Sequence, residues 1–197
     1  MTQKSTIERI LRSAIDLFAE KGFHETKVDE IAERSNVAKG TIYLYFRSKE
    51  MIMEECVKFI TEKAIDNYMI DNEKTFKENL MNVILRNYEF VKENLNFYKV
   101  LFSSIYKPRF KNLYKIKCSK EKIVDKVMDL IRKGVEEGEV RDDISIYNLS
   151  EFTLSFIHSA MMSIVLMIIF EGKSQSDLDA FVNDIFSFLV SGLGGKA

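Results

Sequence analysis

Apolar side chains recur every three to four residues from the first segment onward. Ile7, Ile10, Leu11, Ala14, Ile15, Leu17 and Phe18 share one face, with Glu8, Arg9, Arg12 and Asp16 between them, the spacing of an amphipathic helix. Lys21-Gly22 predicts its end, with Gly22 as a left-handed cap. A short helix is predicted from Lys27 to Arg34, capped by Thr26, with Asp29 near its free donors and Val28, Ile31 and Ala32 as its apolar edge. Ser35-Asn36-Val37 predicts a tight break. A third short helix follows from Ala38 to Phe46, with Ile42 and Phe46 one turn apart and facing inward. Ser48 is placed to cap a longer helix reaching Ile70. Further helices are predicted from Lys74 to Lys92, Asn94 to Tyr106, Arg109 to Glu137 beyond Pro108, Ser145 to Phe170, and Ser176 to Leu193. Gly134 and Gly138 mark the end of the helix from Arg109 to Glu137, before the polar turn Asp142-Asp143.

One proline and eight glycines in 197 residues leave few breakpoints. That disfavours many-turned sandwiches and barrels and predicts an all-α fold. Hydrophobic residues at 46% against charged residues at 30% describe a globular chain with a core rather than a disordered one. The net charge of -1 excludes a protein that coats nucleic acid by charge alone, yet leaves room for a local basic surface. Charge is in fact uneven: residues 107–133 carry ten Lys/Arg against three Asp/Glu, and residues 134–197 carry three against ten. Cys56 and Cys118 form no CxxC pair, so no zinc site is expected and the thiols read as free. The amino-terminal segment has no apolar signal-peptide core, and the expected location is cytoplasmic.

Residues 152–170 contain no Asp, Glu, Lys or Arg, and this run is nearly the ~20 residues that span a bilayer. Five of its positions are polar (Thr153, Ser155, His158, Ser159 and Ser163), and Glu151 and Glu171 flank it directly. Burial in a core or between subunits is therefore expected, and no membrane partner. Ser155, Ser159 and Ser163 fall at i, i+4 and i+8, a small-residue line that admits a second helix. Together with Phe152 and with Phe181, Ile185, Phe188 and Leu189 of the last helix, they form the expected homodimer surface, a four-helix bundle across a two-fold axis.

Two short helices about a tight turn, the second rich in small and hydrogen-bonding side chains, describe a helix-turn-helix. A helix fits the major groove of B-DNA. Ala38 offers a methyl group, Lys39 a charge, Gly40 close backbone approach, and Thr41 a donor and acceptor. Tyr43 and Tyr45 carry hydroxyls of phosphate-reaching length. Thr26, Lys27 and Lys49, at flanking helix starts, are placed to bind phosphates.

The residues from Ile7 to Met51 resemble the DNA-binding domain of the tetracycline-repressor (TetR) family. The resemblance rests on Ile10-Leu11, Ala14, Leu17 to Phe23, Thr26, Val28, Ile31-Ala32, Val37 to Tyr43, Tyr45-Phe46 and Ser48-Lys49-Glu50. Leu44 departs from the aromatic residue, and Ala38 from the serine, often found there. The resemblance implies about nine helices, with residues 1–49 as a three-helix DNA-binding domain and 50–197 as a larger effector-binding and dimerisation domain. By position it implies DNA contacts from Thr26, Lys27, Ala38, Lys39, Gly40, Thr41, Tyr43, Leu44, Tyr45 and Lys49. The implied partners are a near-palindromic double-stranded operator, a small-molecule effector and a second copy of the chain.

The effector-binding residues are expected among Phe97, Phe102, Tyr106, Met128, His158 and Met162. Aromatic and Met side chains offer area and stacking, so the effector is expected to be apolar or aromatic. The Lys-rich segment after Pro108 suggests an acidic head group on it, as on an acyl compound. No cofactor and no catalytic residue is expected: the chain lacks GxGxxG, P-loop and HExxH signatures and has only His24 and His158. The alternatives weighed are a cofactor-free helical enzyme and a membrane-associated helical protein.

Overall fold

A computed structural model describes the backbone of residues 3–105 and 114–194, and the side chains of residues 4–101 and 120–194. It contains nine α-helices among these residues: α1 (Gln3–Lys21), α2 (Val28–Arg34), α3 (Lys39–Tyr45), α4 (Lys49–Ala64), α5 (Phe76–Glu93), α6 (Leu95–Ile105), α7 (Tyr114–Glu136), α8 (Ile146–Leu166) and α9 (Gln175–Leu193). The chain folds as two compact units. One comprises α1 to α4 with α6; the other comprises α5, α8, α9 and all but the first turn of α7.

In the first unit, the apolar face of α1 forms the centre, with Ile10, Leu11, Ala14, Leu17 and Phe18 all buried. Gly22 ends α1 with φ 85°, the left-handed conformation that glycine adopts without a Cβ penalty. Helix α2 lies against α1 and is tied to it by Arg34, whose two guanidinium nitrogens donate to the two carboxylate oxygens of Glu20 at 2.6 and 2.8 Å. Helix α6 also packs on α1, and Asn96 donates to Asp16 at 2.9 Å. Ser48 accepts from the Met51 amide and so caps α4.

Helices α4 and α8 end differently from the sequence reading. Helix α4 stops at Ala64, six residues early, and tightens into a 3-10 turn (Ile65–Tyr68) that buries Tyr68. Helix α8 ends in a π-helical turn (Met167–Glu171), closed by Gly172 at φ 59°.

In the second unit, α8 and α9 each pack on α5 and on each other. Leu149, Leu154, Ile157, Ile164 and Val165 of α8 are buried there, with Leu178, Val182, Ile185, Leu189 and Leu193 of α9. Helix α8 is long and apolar enough to cross a membrane by length and composition, but one of its faces is committed to this core. Gly134 lies inside α7 rather than marking its end; the turn that follows is made by Gly138 at φ 73°.

Candidate nucleic-acid interface

The turn between α2 and α3 is built by three residues with different tasks. The Ser35 hydroxyl is buried and donates to the Ile31 carbonyl at 2.6 Å. Asn36 takes φ 51°, a left-handed conformation that asparagine tolerates better than most side chains. The Val37 amide donates back to the Ala32 carbonyl at 3.0 Å. Helix α3 then starts at Lys39, with Ala38 as its N-cap.

Ile42 and Phe46 anchor α3: they are 0% and 3% exposed. Burying each contributes roughly 1.5–3 kcal/mol, which holds so short a helix in one rotational setting. That setting turns Ala38, Lys39, Gly40, Tyr43 and Leu44 outward, with Thr41 and Tyr45 half-buried beside them. The outward face is thus continuous and carries most of the residues expected on it.

Lys39 is paired with Asp29 of α2 at 2.7 Å, and this carboxylate holds the Lys39 ammonium above the usual lysine range. Both side chains are exposed, so the pair is weak and exchangeable for a phosphate or a base acceptor. Arg47, exposed immediately after α3, adds a cation that the sequence reading passed over although it follows the buried Phe46 directly.

Two flanking residues, Thr26 and Lys49, are placed otherwise than expected. Thr26 is 1% exposed, and its hydroxyl donates to the Leu17 and Gly22 carbonyls at 3.2 and 2.8 Å. It neither caps α2, whose N-cap is Lys27, nor presents its hydroxyl to a phosphate. Lys49 donates to the His24 and Thr26 carbonyls at 2.9 and 2.8 Å and lies 4.7 Å from the Phe23 ring centroid. Its charge therefore satisfies the loop between α1 and α2 instead of pointing at DNA. Lys27 is exposed, but its backbone amide donates to Glu30 at 2.9 Å. The Thr26 and Lys49 bonds tie the loop between α1 and α2 to the end of α1 and to the start of α4. Replacing Thr26 with valine should cost about 1 kcal/mol by removing the hydroxyl's hydrogen bonds to the Leu17 and Gly22 carbonyls. Thermal melting checks this; the salt dependence of DNA binding should stay unchanged.

The expected effector residues divide between the units. Phe97 is buried in the first unit, edge-on to Tyr98 at 5.7 Å, and is core there. Met128, His158 and Met162 belong to the second unit. His158 is exposed, with its ring edge-on to Tyr68 at 6.3 Å. Partial desolvation of the ring lowers its pKa, and the Lys120 charge lowers it further. The Phe102 side chain and Tyr106 lie outside the described residues.

Of the expected dimer residues, Phe152, Ser155, Ser159 and Phe188 are exposed, and Phe181 and Ser163 are half-buried. Ile185 and Leu189 are not on that surface: at 2% and 5% exposed they fill the core of their own unit. Leu166 and Phe170 extend the exposed apolar face instead, and the half-buried Phe156 stacks on Phe188 with centroids 4.6 Å apart. Among the described residues no cluster of His, Cys, Asp and Glu is arranged to hold a metal ion.

The chain is similar to several known proteins. The sequence model of bacterial regulatory proteins of the tetR family matches residues 10–56. The fatty acid metabolism regulator protein of Bacillus subtilis is 26% identical over 193 residues, 95% of each chain. The biofilm operon negative transcriptional regulator IcaR of Staphylococcus aureus is 35% identical over 68 residues, 34% of this chain and 37% of that one. The crystal structure of FadR from Bacillus subtilis in complex with stearoyl-CoA superposes with a TM-score of 0.72 at 25% identity, covering 94% of this chain and 98% of that one.

Proposed function

The chain belongs to the TetR family of transcriptional regulators, and from that premise we propose that it is a homodimeric repressor which a long-chain acyl effector releases from its operator. The observation that carries this reading is the outward face of α3, held open by the burial of Ile42 and Phe46. In this reading residues 1–49 read DNA, and residues 50–197 bind the effector and dimerise. Each dimer sets two copies of α3 into successive major grooves, about one helical turn apart.

Residues 1–49 carry nine Lys/Arg against seven Asp/Glu. Affinity therefore depends on placed contacts from Lys39, Thr41, Tyr43, Tyr45 and Arg47 rather than on bulk charge. The dimer surface is the exposed apolar face of α8 and α9, where the Ser155, Ser159 and Ser163 line admits a close helix approach. The acyl effector is supported by the Met- and aromatic-rich composition of residues 50–197, by the Lys/Arg excess of 107–133, and by what the Bacillus relatives are named for. An effector acts only through its greater affinity for the conformation with misplaced recognition helices. Helix α4 begins at the Ser48 cap directly after α3 and is the natural lever.

Electrophoretic mobility shifts at several salt concentrations test the reading. Binding should weaken steeply with salt, and Lys39→Ala should lower the log–log slope by about two, one phosphate per half-site. Stearoyl-CoA, but not acetyl-CoA, should release the bound duplex. Binding that ignores salt, or that fails on every duplex from a randomised pool, overturns the repressor reading.

A further inference from the structure

Among the described large apolar side chains, Leu44 is the most exposed, at 81%. It lies on α3 one residue before the half-buried Tyr45, on the side opposite the buried Ile42 and Phe46. One turn earlier is Gly40, where an added Cβ would meet nothing within 4 Å. Residues at i and i+4 share a helix face. Leu44 thus stands as an isolated apolar knob beside an open stretch of backbone, in a different unit from the apolar face of α8 and α9.

We propose that Leu44 reads the 5-methyl group of a thymine in each operator half-site and disfavours a G·C pair at that position. The inference rests on α3 entering the major groove, as proposed above. In that groove, guanine, cytosine and adenine present hydrogen-bonding groups, whereas thymine alone adds a methyl. A leucine set against the thymine methyl removes apolar surface from water on both sides. Set against the cytosine amino group or guanine O6, it strips water and supplies no replacement partner. Attraction and rejection therefore act at the same base pair. The bare backbone at Gly40 permits the duplex to come near enough for carbon–carbon contact, about 4 Å.

The test uses the full chain. A duplex is enriched from a randomised pool, and each thymine in it is replaced singly by deoxyuridine, which removes only the methyl. One thymine per half-site should respond, its methyl being worth about fourfold in affinity, or about fifteenfold when both half-sites are changed. Leu44→Ala should bind the thymine and uridine duplexes equally while keeping wild-type circular dichroism and dimer mass. Leu44→Gln should shift the preferred base at that position toward adenine. The proposal is overturned if wild type is indifferent to every uridine, or if Leu44→Ala keeps the same sensitivity, since another residue then reads the methyl. In both cases the enriched duplex leaves the repressor reading standing; failure to enrich any duplex removes both.

Discussion

Replacing Phe188 with glutamate yields a folded monomer whose operator affinity falls by more than about a hundredfold. Phe188 is 61% exposed and its ring stacks on Phe156 at 4.6 Å. The two rings join the exposed faces of α8 and α9 into one apolar surface with Phe152, Leu166 and Phe170. A carboxylate inserted there stays in water in the monomer and forfeits only the stacking on Phe156. In the proposed dimer it would be buried without a partner, at a cost of several kcal/mol. The effect on DNA follows from linkage. A monomer engages one half-site and loses the effective concentration that joins the second recognition helix to the first, a factor of about 10²–10⁴. Sedimentation gives the mass and a mobility shift gives the affinity. A dimer that survives both Phe188→Glu and Phe152→Glu places the interface elsewhere. Ile185→Glu is the contrasting variant: that side chain is 2% exposed in its own unit, so the chain should unfold rather than dissociate.

Gly134→Val should lower stability by about 3 kcal/mol or more, and the melting temperature by roughly 10 °C. A Cβ at Gly134 would lie 2.4 Å from Val140 Cγ2 and 2.7 Å from Phe76 Cδ2. Neither neighbour has room to yield, since Phe76 is 1% and Val140 4% exposed. The surrounding backbone is also fixed. The Glu139 and Val140 amides both donate to the Gly134 carbonyl, at 2.9 and 3.0 Å, and the Phe76 amide donates to the Glu137 carboxylate at 2.7 Å. The end of α7 and the start of α5 therefore shift together or not at all. Gly192→Ala is the control: it is helical, its Cβ would meet nothing within 4 Å, and no loss is expected. Equal melting of Gly134→Val and wild type would show that this contact is not tight.

The helices were legible because their signal is local. Periodicity placed Ile10, Leu17, Ile42 and Phe46 on inward faces, and all are buried. The glycine cap at Gly22 and the serine cap at Ser48 were legible too, because a cap is a property of two or three adjacent residues. The early stop of α4 was not: nothing near Ala64 breaks a helix, and the 3-10 turn follows from burying Tyr68. The two apolar faces of α9 were also indistinguishable in sequence. Phe181 and Phe188 differ from Ile185 and Leu189 only in which neighbouring helices they meet, and α5 and α8 cover only one side.

By itself, the chain of residues determined the helical class, the helix-turn-helix and its outward residues. Those depend on spacing along a single helix and on the chemistry of each side chain. Tertiary structure alone decided what Thr26, Lys49 and Asp29 do, because each finds its partner in another element: the Leu17 and Gly22 carbonyls, the His24 and Thr26 carbonyls, and the Lys39 ammonium. A hydroxyl or an ammonium carries no mark of whether it will meet DNA or a carbonyl of its own chain. Only the distances set by folding choose between them.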